Sequence, residues 1–432
     1  MPPHNPLWEI AEPYLVATNR YTVADPTYGR YLLPHHAPTQ QLMATPGVRH
    51  TFRRVFLRPF RDCKTWHEAY NTTEIVNSDE VKLEEAEVAE GVKHGGRWLF
   101  YSVWEMDEPE TGWECGGKGR GRDLVLVHGL SDYGLRYSPH VLHFLKEGFR
   151  VIMPDLPSYG RSTGVNSYLP SLDLLPAAVH TVLTDVVMWD LKQDRKQQQV
   201  FLCGASMGAW TVLFYVYRYH PSDSVETAAE TSTSGHPEPP RPQIAGVFAL
   251  CPMVEASPES RPSAIIEYLA KSIKFFAGSL PLAPAVRGNV SDDPRVEEDF
   301  FADPLCYHGL LRVGTGLSLL DGMTELNQNA ERINIPIRLI HGSSDRATSH
   351  AATERLFQRL PHDDKQFELY DGYEHTVMLK VGVDDADDEK RQRVLRDWTH
   401  WLLERSSLSS SPNASRSFKV CSNPPSSKLA YI

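Results

Sequence analysis

The sequence predicts an α/β protein: a mostly parallel, doubly wound sheet carrying a helical cap inserted between two late strands. Three observations lead there. From about Arg97 onward, short runs of β-branched and aromatic residues alternate with stretches of helical period, the pattern of β-α-β units. Several of the strand candidates are continuous apolar runs, as strands covered on both faces are. About eighty residues separate the run ending at Met253 from the one beginning at Ile335, which leaves room for a cap.

In chain order, "RWLFYSVWEM" is an aromatic, β-branched strand, and "DLVLVHG" (Asp123 to Gly129) a buried one. A short helix "SPHVLHFLKEGF" precedes the strand "RVIMPD" (Arg150 to Asp155), and Leu172 to Lys192 reads as helix. Val200 to Cys203 is strand and Trp210 to Tyr217 apolar helix. "IAGVFALCPM", "IPIRLIHG" and "KQFELYDG" are later strands, and "RQRVLRDWTHWLLER" closes the chain's ordered part as an amphipathic helix. The expected division is an N-terminal extension (1–85), a core (86–253) with a flexible insert (221–242), a cap (254–333), the rest of the core (334–405) and a disordered tail (406–432). The extension holds Trp8, Tyr14, Tyr21, Tyr28, Tyr31 and Trp66, too many aromatics for a linker, so it is expected to pack on the core. The insert is rich in Ser, Thr, Glu and Pro and has too little apolar surface to order itself.

The chain has 432 residues, 41% of them hydrophobic, and a formal charge of −11 with no basic stripe. That balance argues against nucleic acid as a partner. Six cysteines lie scattered without C-x-x-C pairing; Cys203 and Cys251 sit in strand-like runs, as reduced core residues do. No metal or organic cofactor is implied. The opening residues show no basic start followed by an apolar stretch, so a signal peptide is not expected. No run approaches the roughly 18 apolar residues of a membrane span. A cytoplasmic setting follows as the expectation.

Gly204-Ala205-Ser206-Met207-Gly208 joins a strand to a helix with no room for a loop. Such a turn crowds its neighbours, so small residues flank it, and it would hold the Ser206 hydroxyl exposed above a helix N-terminus. The plainer alternative is a tight turn whose serine caps the helix. A nucleophilic serine requires a base, and the base an orienting acid. Partners belong at the carboxyl ends of later strands, where open α/β sheets bind ligands. "RLIHGSSDRA" delivers Asp345 there, and "LYDGYEHTV" delivers His375. The order Ser206, Asp345, His375 is the one expected of a serine on a strand-to-helix elbow. Asp345 as a helix cap and His375 as a solvated loop residue are the structural alternatives. His341 and His128 compete for the base; His341 precedes its loop and is expected to point into the sheet. After the strand Asp123 to Val127, His128-Gly129-Leu130 would bring the Leu130 N–H near the serine, to form an oxyanion hole with the Met207 N–H.

These pieces together resemble an α/β-hydrolase of the monoacylglycerol lipase type. The resemblance rests on "HGLSDYGLRY", "MPDLPSYGRSTG", "GASMGAW", "ADPLCYHGLLRVGTGLSLLDGM", "IPIRLIHGSSDRA" and "YDGYEHTVMLK", in family order between about Val88 and Glu404. It implies an α/β-hydrolase fold with Ser206 as nucleophile, Asp345 as acid, His375 as base, and Leu130 with Met207 as oxyanion donors. Ala205 and Ala209 depart from the family, which usually has His and Gly there. Within the cap, "SAIIEYLAKSIKFF" puts Ile265, Leu269, Ile273 and Phe276 on one helical face and Glu267, Lys271 and Lys274 on the other. That apolar face is expected to contact substrate and to touch a membrane or lipid droplet; simple packing over the core is the alternative.

The expected activity is therefore hydrolysis of a single-chain acyl ester, such as a monoacylglycerol, through an acyl-enzyme. An acyltransferase or thioesterase would use the same triad. A non-catalytic ligand receptor on the same scaffold is the alternative outside enzymes.

Overall fold

The computed structural model describes residues 25–57, 77–80, 97–107, 121–219, 242–258, 260–284, 290–377 and 385–407. Its strands are β1 (Val48–Phe56), β2 (Asn77–Glu80), β3 (Trp98–Met106), β4 (Arg122–Val127), β5 (Arg150–Pro154), β6 (Gln199–Ala205), β7 (Gln243–Leu250), β8 (Pro281–Pro284), β9 (Leu310–Arg312), β10 (Ile337–Gly342) and β11 (Lys365–Tyr370). Its helices are α1 (Ala37–Met43), α2 (Ser138–Lys146), α3 (Leu174–Lys192), α4 (Met207–Tyr219), α5 (Ala264–Ala277), α6 (Pro294–Ala302), α7 (Val313–Gln328), α8 (His350–Arg359) and α9 (Asp385–Ser407).

Among the described residues, nine strands form one sheet in the order β11-β10-β7-β6-β4-β5-β3-β1-β2. The stretch from β11 to β5 is parallel, and β3, β1 and β2 add antiparallel pairings at one end. Successive residues of a strand point to opposite faces, and the core divides accordingly. Val125, Leu202, Val247 and Leu339 join a cluster with α3, α4 and α8. Leu126, Phe201, Phe248 and Ile340 join a second cluster with α2 and α9. The inner parallel strands are thus covered on both faces, which is why they read as apolar runs, whereas the edge strand β11 (KQFELY) is only partly buried. One helix among the described residues, α3, is long and apolar enough to cross a membrane, but 78% of its apolar window is buried inside the fold. It is a core helix.

Within residues 25–57 the chain lies against the body. β1 pairs antiparallel with β3 from Val48↔Met106 to Phe56↔Trp98. Tyr31 is fully buried, edge-on to Trp98 at 5.6 Å. Arg30 donates to the carbonyls of Gly160 at 2.7 Å and Ser162 at 2.8 Å, tying this segment to the loop after β5. Trp8, Tyr14, Tyr21 and Trp66 lie outside the described residues, as do 221–241 of the insert and 408–432 of the tail. The final helix runs on to Ser407, two residues into the stretch expected as tail.

Between β7 and β10 lie α5, α6 and α7 with the small ladder β8–β9. The indole N–H of Trp210, on α4, donates to the Gly322 carbonyl of α7 at 2.9 Å. Tyr307 N–H donates to the Ser131 carbonyl at 2.9 Å, and Tyr133 O–H to Asp303 Oδ2 at 2.7 Å. The segment is therefore fastened both to the helix behind Ser206 and to the turn after β4.

Candidate active site

Ser206 has φ of +57°, a left-handed conformation that costs a non-glycine residue energy and is held only by its surroundings. Its N–H donates to the Leu250 carbonyl at 2.9 Å, and its carbonyl accepts from Trp210 N–H at 3.0 Å and Met253 N–H at 3.2 Å. An ordinary N-cap has extended backbone, so the plain capping alternative does not describe this turn. The flanking glycines are required by contact: a Cβ on Gly204 would lie 2.4 Å from the Gly208 carbonyl carbon, and one on Gly208 would lie 2.1 Å from the Val127 oxygen.

Asp345 and His375 leave the carboxyl ends of the neighbouring strands β10 and β11. His375 Nδ1 lies 2.7 Å from Asp345 Oδ2. The Asp345 Oδ1 accepts from the N–H groups of Ala347 at 2.8 Å and Thr348 at 2.9 Å. Burial alone would raise the Asp345 pKa, but the charge of His375 and the hydrogen bonds from His341 and His375 hold it far below the usual carboxylate range. The group is an ionised acceptor. His341 is fully buried, as expected from its place in the strand, but its Nε2 also reaches Asp345 Oδ2, at 3.0 Å. The sequence carried no sign of that contact beyond the four-residue spacing.

His128 is a brace. Its Nε2 accepts from Leu156 N–H at 2.9 Å, which leaves Nδ1–H to donate to the Gly129 carbonyl at 2.8 Å. Burial lowers its pKa to about 4, so it stays neutral and fixes the backbone that leads into Leu130. Leu130 lines the same cavity as Ser206 and His375. Met207 begins α4 directly after the serine, with its side chain fully buried. Asp132 and Arg136 also line the cavity, 3.9 Å apart; burial raises the Asp132 pKa to about 7 against the pull of Arg136. Both sit in the quoted "HGLSDYGLRY" at helical spacing, the one signal that could have singled them out.

The cavity measures about 870 Å³. Ile266, Leu269 and Ile273 of α5 line it, with Phe300, Leu317 and Met323 from the rest of the cap. Ile265 does not: it is 74% exposed, and Ile266 stands in its place. With Ile265, Ile266 and Leu269 all apolar, two helical faces are nearly equivalent in sequence, and the packing of α5 over the cavity selects between them. Glu267, expected on the outer face, also lines the cavity, 3.9 Å from Arg261. The side chain of Phe276 lies outside the described residues.

A family model described as serine aminopeptidase, S33 matches residues 121–380. The chain is 24% identical to a monoacylglycerol lipase of Mycolicibacterium smegmatis over 72% of its own length and 94% of that protein's. To the monoglyceride lipase of Rattus norvegicus it is 23% identical, over 73% and 89% respectively. The crystal structure of the Paleococcus ferrophilus monoacylglycerol lipase superposes with a TM-score of 0.53 at 23% identity, covering 71% of this chain and 99% of that one. The chain belongs to the S33 family of α/β-hydrolases. It is a carboxylic-ester hydrolase, monoacylglycerol lipase-like.

Proposed function

We propose that the enzyme cleaves single-chain acyl esters, monoacylglycerols foremost, through an acyl-enzyme on Ser206. In this reading His375 takes the Ser206 Oγ proton as the oxygen attacks the ester carbonyl. The N–H groups of Leu130 and Met207 receive the developing oxyanion, and the strained turn keeps the Met207 N–H at the helix N-terminus, where the dipole favours negative charge. His375 then protonates the departing alcohol. Water follows, deprotonated by His375, and the acid is released with Ser206 restored. Asp345 holds the imidazole in the tautomer that presents Nε2 to the serine and stabilises its cation.

The observation that carries this is that Ser206 and His375 open onto one cavity whose lining is mostly aliphatic and aromatic. Such walls suit an acyl chain, and the polar Asp132–Arg136 pair suits a hydroxylated alcohol. Four apolar residues of α5 are exposed to water, Ile265 at 74%, Tyr268 at 72%, Leu269 at 57% and Ile266 at 56%, which supports docking on a membrane or lipid droplet. Cys203, Cys251 and Cys306 are buried free thiols, in keeping with a reducing cytoplasm. Hydrolysis of p-nitrophenyl esters over a range of acyl lengths, followed by mono-, di- and triacylglycerols, tests the reading. A preference for long single chains and for the monoacylglycerol is expected; a preference for triacylglycerol, or no activity on any glyceride, would overturn it.

A further inference from the structure

Asp345 Oδ2 serves two imidazoles. His375 Nδ1 reaches it at 2.7 Å and His341 Nε2 at 3.0 Å, while Thr348 Oγ1 donates to it at 3.0 Å. The other oxygen is held by two backbone N–H groups. We propose that His341 is a positioning residue for catalysis: as its Nε2–H tautomer it donates to the oxygen that binds His375, and so sets the orientation and the proton affinity of the His375–Asp345 pair. This rests on the triad reading given above and adds a fourth member to it.

The tautomer follows from the neighbours. An ionised carboxylate only accepts, so the ring nitrogen facing it carries hydrogen. On the opposite side of the ring, Nδ1 lies 3.0 Å from Thr353 Oγ1, which can donate to it. Full burial keeps the imidazole neutral: desolvation lowers its pKa against the pull of Asp345. The carboxylate thus selects the tautomer, and the Thr353 hydroxyl, whose other acceptor is the Ser349 carbonyl at 3.4 Å, supports it by donating to Nδ1, since a hydrogen bond at one ring nitrogen bears on the other.

The consequence is electrostatic. A donor on Oδ2 withdraws part of the charge that would otherwise stabilise the His375 cation, and it holds the carboxylate against rotation. Without it the cation is favoured, so the imidazole stays protonated to higher pH. The other titratable neighbours are accounted for. The Cys251 thiol, its Sγ within 4.8 Å of the His341 and Asp345 atoms, is kept protonated by burial. The His350 ring lies 6.3 Å from that of His341. Arg346 and Glu374, adjacent in sequence to the pair, face outward to Asp292 and to one another, Arg346 lying 2.6 Å from Asp292 and 3.9 Å from Glu374.

The test compares wild type with His341→Leu, His341→Gln and Thr353→Val, measuring kcat and KM on p-nitrophenyl butyrate from pH 5 to 9. In His341→Leu the acid limb of kcat/KM should move up by about half to one pH unit, and kcat should fall by about tenfold with KM little changed. His341→Gln, whose amide N–H reaches the same oxygen, should restore most of both. Thr353→Val, which removes the hydrogen bond that supports the tautomer at Nδ1 without touching the histidine, should shift the limb in the same direction by less, and it carries the test if His341→Leu fails to fold. An unmoved limb in Thr353→Val and in any folded His341→Leu overturns the proposal, as does His341→Gln behaving like His341→Leu. Fluorophosphonate labelling separates the two layers. A wild-type enzyme labelled at Ser206 with an unmoved limb discards only the role of His341, whereas absence of labelling discards the triad reading and this proposal with it.

Discussion

His375 Nδ1 lies 2.7 Å from Asp345 Oδ2, although thirty residues of chain separate them. The contact follows from β10 and β11 being parallel neighbours, with Gly342 opposite Tyr370 at their carboxyl ends. The loops that leave these ends are laced together: Ser343 N–H donates to the Tyr370 carbonyl and Ser344 N–H to that of Tyr373, both at 2.9 Å. The acid and the base are therefore positioned by backbone, before any side-chain interaction is counted.

If Ser206, Asp345 and His375 work as a unit, removing one member should cost nearly as much as removing them all. Ser206→Ala and His375→Ala should each lower kcat by roughly 10⁶, and Asp345→Asn by about 10⁴ through the wrong tautomer. Initial rates on a p-nitrophenyl ester measure this. A Ser206→Ala enzyme that kept about a percent of wild-type activity or more would not fit the assignment.

The lacing of the two loops depends on Gly342. A Cβ there would lie 2.2 Å from the Tyr373 carbonyl oxygen and 2.7 Å from that of Glu374, and backbone cannot yield without parting the loops. Gly342→Ala should lower kcat by tenfold or more, since a misplacement of about 1 Å can cost 10²-fold. It should also lower Tm. Wild-type kinetics in a folded Gly342→Ala protein would show that the loops have slack.

Acid should destabilise the fold through His35. Its ring stacks on Phe52 at 4.9 Å, both ring nitrogens are buried without a hydrogen-bond partner, and burial together with Arg161, His50 and His36 lowers its pKa to about 3 from an ordinary 6.5. Between those values the unfolded chain binds a proton that the folded one does not. Stability from this group is complete above about pH 6.5 and is lost progressively as pH falls toward 3. His35→Phe should keep the stack and remove that loss, so its advantage in urea unfolding should grow from pH 7 to pH 4.5. An advantage that is the same at both pH values would count against this account.

The cap can be tested for lipid contact apart from stability. Leu269 is 57% exposed and also lines the cavity, so a charge there is not stranded in a core. Changing Leu269 and Ile273 together to Glu should lower activity on micellar monoacylglycerol by tenfold or more, as each lost apolar contact is worth about 1.5–3 kcal/mol. Short soluble esters should be cleaved nearly as before, with Tm little changed. Equal loss on both substrates, accompanied by a lower Tm, would mean that these side chains serve packing instead.

By itself the sequence determined the core strands and helices and their chemistry. Unbroken apolar runs such as Leu124 to Val127 mark strands covered on both faces, and two glycines around Ser206 mark a turn that admits no bulk. These are local signals, carried by neighbours within a few residues, and so they survive in one dimension. Strand ends pointed to Asp345 and His375 for the same reason. Tertiary structure alone decided what distant segments do to one another. The pairing of β1 with β3 depends on backbone register, which the side-chain pattern leaves open where β3 is buried along most of its length and shows no alternation. Ile266 instead of Ile265 faces the cavity because the seating of α5 picks one of two apolar faces. His341 meets Asp345 because the loop after β10 folds back over its own strand, putting a carboxylate beside a buried imidazole. Local sequence constrains which conformations are cheap, but contacts across the fold are set by packing, where many weak preferences are satisfied at once.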